Sequence, residues 1–428
     1  MKCGVYEKVI TPPLGTSIPG YYQERLATGI NDDLHAKAFV MEQGEMVAVW
    51  IAVDTFDLTR DAVVGIRRRV QMFTGVPPEH ILVAATHTHT GGHISPWFAG
   101  HVDEQYANTV VLLAADCAVM AYRNRVEARI GVGTGGESSI AFQRRFLMKD
   151  GSVTTNPGVR NPLIDRAAGP IDPEVAVIRI DDAGGNPMGV VWNYACHTDA
   201  VSGTEHSADY PGVLSEAIKR ELGEAVVSLF FMGASGNINH HDVSGALVVG
   251  PNHHRVMGSV LAKEVLRVWD GIDSGEPRGL KVRSDRFMVP LRYPSEAERL
   301  WAANLVGNGS VDLSETVLAN EILLIEPDRG AVEEIELQAF RIGELALIAL
   351  PAELFVEYGL RIKAASPFRV TLVCELANGS GHGYVCTPEA YEQGGYEPRI
   401  TRMSRLAHEA GERFVERALA LLQQLHRP

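Results

Sequence analysis

Cysteine is scarce in this chain. There are five thiols in 428 residues (Cys3, Cys117, Cys196, Cys374 and Cys386), odd in number and widely scattered. Such spacing excludes a disulfide framework or a CxxC metal site as the organising feature, so reduced, buried thiols are expected. Basic runs are nearly absent as well: Arg67, Arg68 and Arg69 form the one cluster, read as decorating an exposed helix, and the net charge is -14. A nucleic-acid or anionic-membrane partner is therefore not expected. No apolar run is longer than a strand, and the opening "MKCGVYEKVITPPLG" has neither an apolar core nor a small-residue cleavage site. The expectation is a cytoplasmic protein with no membrane span. Internal repeats, low-complexity tracts and linkers are missing too, which leaves one domain over residues 1–428. What is present is 46% hydrophobic and 21% charged residues, the composition of a globular chain with ample core.

Short apolar strands alternate with helical periodicity. "MVAVWIAV" precedes a helix near 60–73, "HILVAAT" precedes one near 104–122, and "VAVIRI" and "MGVVWNYAC" follow. "AVVSLFFMG", "LQAFRIGELALIALP" and "RVTLVCEL" read as further strands, with helices near 253–269, 353–365 and 403–424. A turn within "FRIGELAL" makes the sheets mixed, so the predicted class is α/β with mixed β-sheets flanked by helices. The stretch 133–173 is rich in Gly, Pro, Asn and Thr and too long for a plain connector, which marks it as functional. The C-terminal helix carries apolar residues at helical spacing, read as core packing.

Polar residues cluster where strands end. "ILVAATHTHTGGH" runs a buried strand into His87 and His89, which strand alternation would place on one face. Two imidazoles there share one ion or divide the work of ligand and base; the alternative is a hydrogen-bonded loop pair with no metal. "MGVVWNYACHTDA" repeats the pattern at His197. "VVSLFFMGASGNINHH" ends in a small-residue loop holding Gly233 and Ser235, whose backbone N–H groups suit an anion or oxyanion. In "IALPAELFVE" Glu353 is read as the start of a helix. Two nitrogens and a carboxylate from separate strand ends suit zinc with an open position for water.

These motifs resemble those of the neutral/alkaline ceramidase family, zinc amidohydrolases that cut N-acyl bonds of sphingolipids, and the resemblance spans nearly the whole chain. "THTHTGG" resembles the family's THTHSG turn, "WNYACHTDA" its WFAxHGTS element, "PAELF" its PGEF turn and "YVCTPEAYEQGGYE" its YITTxEEYxxQRYE run. The last match aligns Tyr384, Pro388, Glu389, Tyr391, Tyr396 and Glu397 without a gap. The resemblance implies one zinc per chain held by His87, His197, Glu353 and Tyr384, with His89 transferring protons to and from a zinc-activated water. It also implies Arg144 in "FQRR", with Arg145 as fallback, as donor to the substrate carbonyl or carboxylate, and Tyr396 as a further donor to the carbonyl oxygen. Two departures bear on substrate. Asn239 of "SGNINHH" stands where the family has serine, and the chain ends at Pro428 with no counterpart of the family's immunoglobulin-like C-terminal domain. The expected substrate is accordingly a small or medium polar amide bound near Asn239, Gly233 and Ser235. The sequence leaves a homo-oligomer open.

Two other classes fit the same residues. One is a metal-dependent esterase, lactonase or phosphoesterase, in which Asp54, Asp199, His206 and Asp209 supply a second ion site. The other is a binding protein that keeps the zinc site without catalysis.

Overall fold

The computed structural model describes residues 1–427 except 98, 248, 278, 309–311, 327–329 and 380. The strand Met46–Val53 shows how its layers are specified. Val49, Ile51 and Val53 enter one hydrophobic cluster, while Ala48, Trp50 and Ala52, alternating with them, enter another. A strand buried on both faces is a near-continuous apolar run, as this one is.

That strand lies in an eight-stranded sheet whose order is Val227–Met232, Pro187–Tyr194, Glu174–Asp182, Val126–Gly136, Lys2–Val9, His35–Gln43, Met46–Val53, Ile81–Ala85. The pairings at its two edges are parallel and those between them antiparallel. One face packs against the helices Arg60–Thr74, Glu104–Arg123, Asp209–Leu222 and His253–Asp270 through residues such as Ile66, Ala114, Leu214 and Leu261. The other packs on a four-stranded sheet, Leu280–Pro290, Val332–Ile342, Leu345–Ala349 and Val370–Cys374. Trp50 joins the two sheets: its ring meets Phe39, Phe231 and Phe340 edge-on at 5.7, 5.9 and 5.6 Å between centroids. Helices Val356–Ala365 and Ala410–His426 close the fourth layer with Ile362, Phe414 and Leu422. The α/β class with mixed sheets and flanking helices is as the sequence predicts.

Several local readings change. The helix expected from 353 starts at Val356, and the one expected from 403 starts at Ala410. Arg67 is 5% exposed rather than a surface decoration; it donates to Ile81 O at 2.8 Å and pairs with Glu336 of the second sheet at 2.8 Å. The stretch 133–173 is not plain loop: Val153–Thr155, Arg145–Met148 and Ile164–Ala167 form a small three-stranded sheet. Two further helices, Glu296–Gly307 and Leu313–Leu323, follow Ser295; residues 309–311 between them lie outside the described residues.

The chain leaving Val370–Cys374 docks on both edge strands of the large sheet. Glu375 N–H donates to Met232 O at 3.0 Å, Ala85 N–H to Leu376 O at 3.1 Å and Asn378 N–H to Val83 O at 2.7 Å. These bonds bring the far end of the second sheet to the loops that carry the histidines.

Candidate metal centre

The strand Ile81–Ala85 stops before the histidines, so alternation along a strand does not pair them. His87 has φ 66, a left-handed backbone that a non-glycine residue adopts only when its surroundings hold it there. They do: His87 N–H donates to Thr55 O at 2.9 Å, Thr88 Oγ1 to Ser207 O at 2.6 Å and His89 N–H to Thr198 O at 3.2 Å. The kink leaves the His87 and His89 rings edge to face, 4.8 Å between centroids.

Each imidazole is oriented by a carbonyl. His87 Nδ1 donates to Phe56 O at 2.7 Å, with the ring stacked on Phe56; His197 Nδ1 donates to Ser235 O at 2.9 Å and His89 Nδ1 to Gly20 O at 3.2 Å. Carbonyls only accept, so in each neutral ring the proton is on Nδ1 and Nε2 carries the lone pair. Glu353 Oε2 lies 3.2 Å from His197 Nε2 and 3.6 Å from His87 Nε2. Neither Glu353 Oε2 nor His89 Nε2, both buried, has a hydrogen-bond partner among the described residues. Ligand atoms of His87, His89 and His197 all lie within 4.8 Å of one another. Buried acceptors converging on one point repel unless a proton or a metal cation sits among them, and carbonyl-braced imidazoles are how proteins aim metal ligands. The donor set fits a divalent ion. Burial, and then the His87 and His197 rings, push His89 down to about 3, which keeps it neutral.

Glu353 arrives by a route the sequence does not show. It sits in the two-residue strand Glu353–Leu354, bridged in parallel to Tyr384–Val385 with Glu353 opposite Tyr384. Registered residues project on the same side, so the bridge delivers a carboxylate and a phenol together. Burial, followed by the Glu353 charge, holds the Tyr384 phenol well above its ordinary range.

Of the two neighbouring arginines, Arg144 faces the site. Its guanidinium donates to Glu397 Oε1 at 2.9 Å, to Gly236 O at 2.6 Å and to His197 Nε2 at 3.3 Å. Arg145 turns to the other side of the same carboxylate, reaching Glu397 Oε2 at 2.7 Å and Gly394 O at 2.8 Å. Glu397, fully buried, thus serves two arginines and Thr155. Sequence reading gave it no role, although it ends the "YVCTPEAYEQGGYE" run.

A cavity of about 960 Å³ opens over this group, lined among others by His89, His197, Glu353, Tyr384, Arg144, Tyr396 and Asn239. His87 stands behind its wall. Gly233 and Ser235 also lie behind it: Gly233 N–H bonds Tyr194 O at 2.9 Å, and Ser235 Oγ donates to Glu375 Oε1 at 2.6 Å. Asn239 donates to Asn156 Oδ1 at 3.2 Å and accepts from His241 N–H at 3.1 Å. The residues read as a second ion site are engaged elsewhere. Asp54 accepts from Thr86 and His35, His206 binds Thr90 O, Asp209 accepts from Val201 and Tyr210, and Asp199 holds His240. Phe56 and His240, both on the cavity wall, were not singled out by the sequence.

No family model and no curated protein matches the sequence. By structure the chain is similar to neutral ceramidase from Pseudomonas aeruginosa, with a TM-score of 0.75 and 20% identity over 100% of this chain and 75% of that one. It is similar also to a ceramidase complexed with C2, with a TM-score of 0.74 and 18% identity over 99% of this chain and 75% of that one. The sheets, the helices around them and the connections between them therefore compose a neutral ceramidase-like fold.

Proposed function

We propose that this chain is a zinc-dependent hydrolase of a non-peptide amide bond, acting on a small or medium polar N-acyl substrate and working as one catalytic domain. The observation that carries it is the buried cluster of the carbonyl-braced imidazoles His87 and His197 with the Glu353 carboxylate, beside a cavity that Arg144 and Tyr396 also line. The fold it shares with proteins named as ceramidases supports the choice of an amide. Free, buried cysteines agree with a cytoplasmic setting.

His87, His197, Glu353 and Tyr384 would hold the ion, which when bound supplies a Lewis acid for water and carbonyl. His89 presents the unpartnered Nε2 lone pair to the cavity wall, placed to take a proton from the attacking water and return it to the leaving nitrogen. Arg144, which donates one N–H to His197 Nε2 at 3.3 Å and lines the cavity, would donate to the carbonyl oxygen as that oxygen gains charge. Tyr396, ring centroid 5.7 Å from Tyr384, stands beside it as a second donor. Asn239 and Asn156 offer amides to a polar part of the substrate.

The test pairs elemental analysis with a substrate panel. One zinc per chain and a kcat/KM for short polar N-acyl compounds at least ~100-fold above that for detergent-dispersed long-chain ceramide are expected, about 2.7 kcal/mol of discrimination. A folded sample free of metal, or inactive on every amide, overturns the reading; equal rates on ceramide overturn its substrate limit.

A further inference from the structure

His240 is 4% exposed yet lines the cavity with His89 and His197. Its Nδ1 turns back to Asp199 Oδ1 at 2.9 Å, and the ring rests on His241 with centroids 4.1 Å apart. A carboxylate on one nitrogen orients an imidazole and favours its charged form. Burial opposes that charge here, but Asp199, followed by Asp209, outweighs it and raises His240 above its ordinary value. With Nδ1 fixed, Nε2 is the edge left for a ligand, and as an imidazolium it donates.

The charges around the cavity point the same way. Arg399 is matched by Glu315 in a two-point pair at 2.6 and 2.8 Å. Arg144 and Arg145, by contrast, share the single carboxylate of Glu397, so that buried triad carries one cation in excess. Glu353, beside imidazoles that are neutral, balances that cation as long as no ion is bound. A divalent ion there would tip the balance to positive, and a positive cavity floor favours a ligand that brings an anion.

We propose that His240, braced by Asp199, reads a carboxylate on the substrate, so that the preferred amides are anionic ones of the N-acyl amino acid class rather than neutral N-acyl amines. This deepens the amide-hydrolase reading and rests on it for turnover, though not for binding.

N-acetylglycine and its uncharged counterpart N-acetylglycinamide are the probes, with calorimetric binding and kcat/KM measured on the zinc-loaded full chain and binding repeated on metal-depleted protein. The wild type is expected to favour the acid by about tenfold or more, the scale of one charge-assisted hydrogen bond. His240→Gln should bring the two close to parity with zinc content unchanged. Should that variant melt early, Asp199→Asn, which keeps the ring and removes its counter-charge, is read the same way. Equal binding of both probes by the wild type, or an undiminished preference in a folded variant, overturns the assignment. Preferential binding of the acid with cleavage of neither probe leaves His240 in place and removes the hydrolase reading instead.

Discussion

Two residues apart, His87 and His89 share a space but not a duty. His87 is stacked on Phe56 with its Nε2 toward Glu353, whereas His89 keeps an Nε2 that nothing in the described protein meets. His87→Ala should therefore lose the metal, measured by elemental analysis. His89→Ala should keep most of it while turnover falls ~100- to 10,000-fold, the range for a removed general base. Equal metal loss in both would make His89 a ligand, an outcome its place within 4.8 Å of the other two imidazoles makes worth testing. Glu397 is the other decisive residue. Its removal strands two guanidiniums in the interior, so Glu397→Ala should cost about 3–5 kcal/mol in urea unfolding, well beyond the loss of a surface pair. An unchanged midpoint would mean that the arginines find other counter-charges.

At the scale of elements, the site hangs on the bridge between Glu353–Leu354 and Tyr384–Val385, and Gly236 is packed beneath it. A Cβ at Gly236 would stand 2.6 Å from the Glu353 carbonyl oxygen, closer than such atoms approach. Gly236→Ala should thus displace the bridge, lowering zinc affinity by about tenfold or more and stability by about 1–3 kcal/mol; competition with a chromophoric chelator reads the first. The strands on either side were legible because runs such as "MVAVWIAV" and "RVTLVCEL" state their burial directly. The bridge was not, since two residues carry no periodicity, and a glutamate just ahead of a helix reads as its first turn. Left-handed His87 was hidden for a related reason: a tertiary cage, not local propensity, holds it there. Arg67 misled in the other direction, since its partner Glu336 lies 269 residues away and no local pattern announces it. Tyr384 enters the proposed ligand set only through likeness of motif, because a lone half-buried phenol gives no sign of metal chemistry.

Across the whole molecule, stability rests on the interface between the two sheets. Trp50 is fully buried between the sheets, and Trp50→Ala should cost about 3–5 kcal/mol, read from chemical unfolding. Stripping the ion should also destabilise the protein: a ligand that binds only the folded state adds about 2.7 kcal/mol at a hundredfold excess over its Kd. The melting temperature should fall with a chelator and return with zinc, and a chelator-insensitive melt would count against a resident ion. The distance in sequence between the proposed ligands has a consequence in time. His87 leaves the ribosome about 300 residues before Tyr384, which at 5–20 residues per second is roughly 15–60 s. During that interval His87, His197 and then Glu353 are made, and Tyr384 completes the proposed set last. On the proposed ligand set, the full site for an ion would thus be complete only late in synthesis.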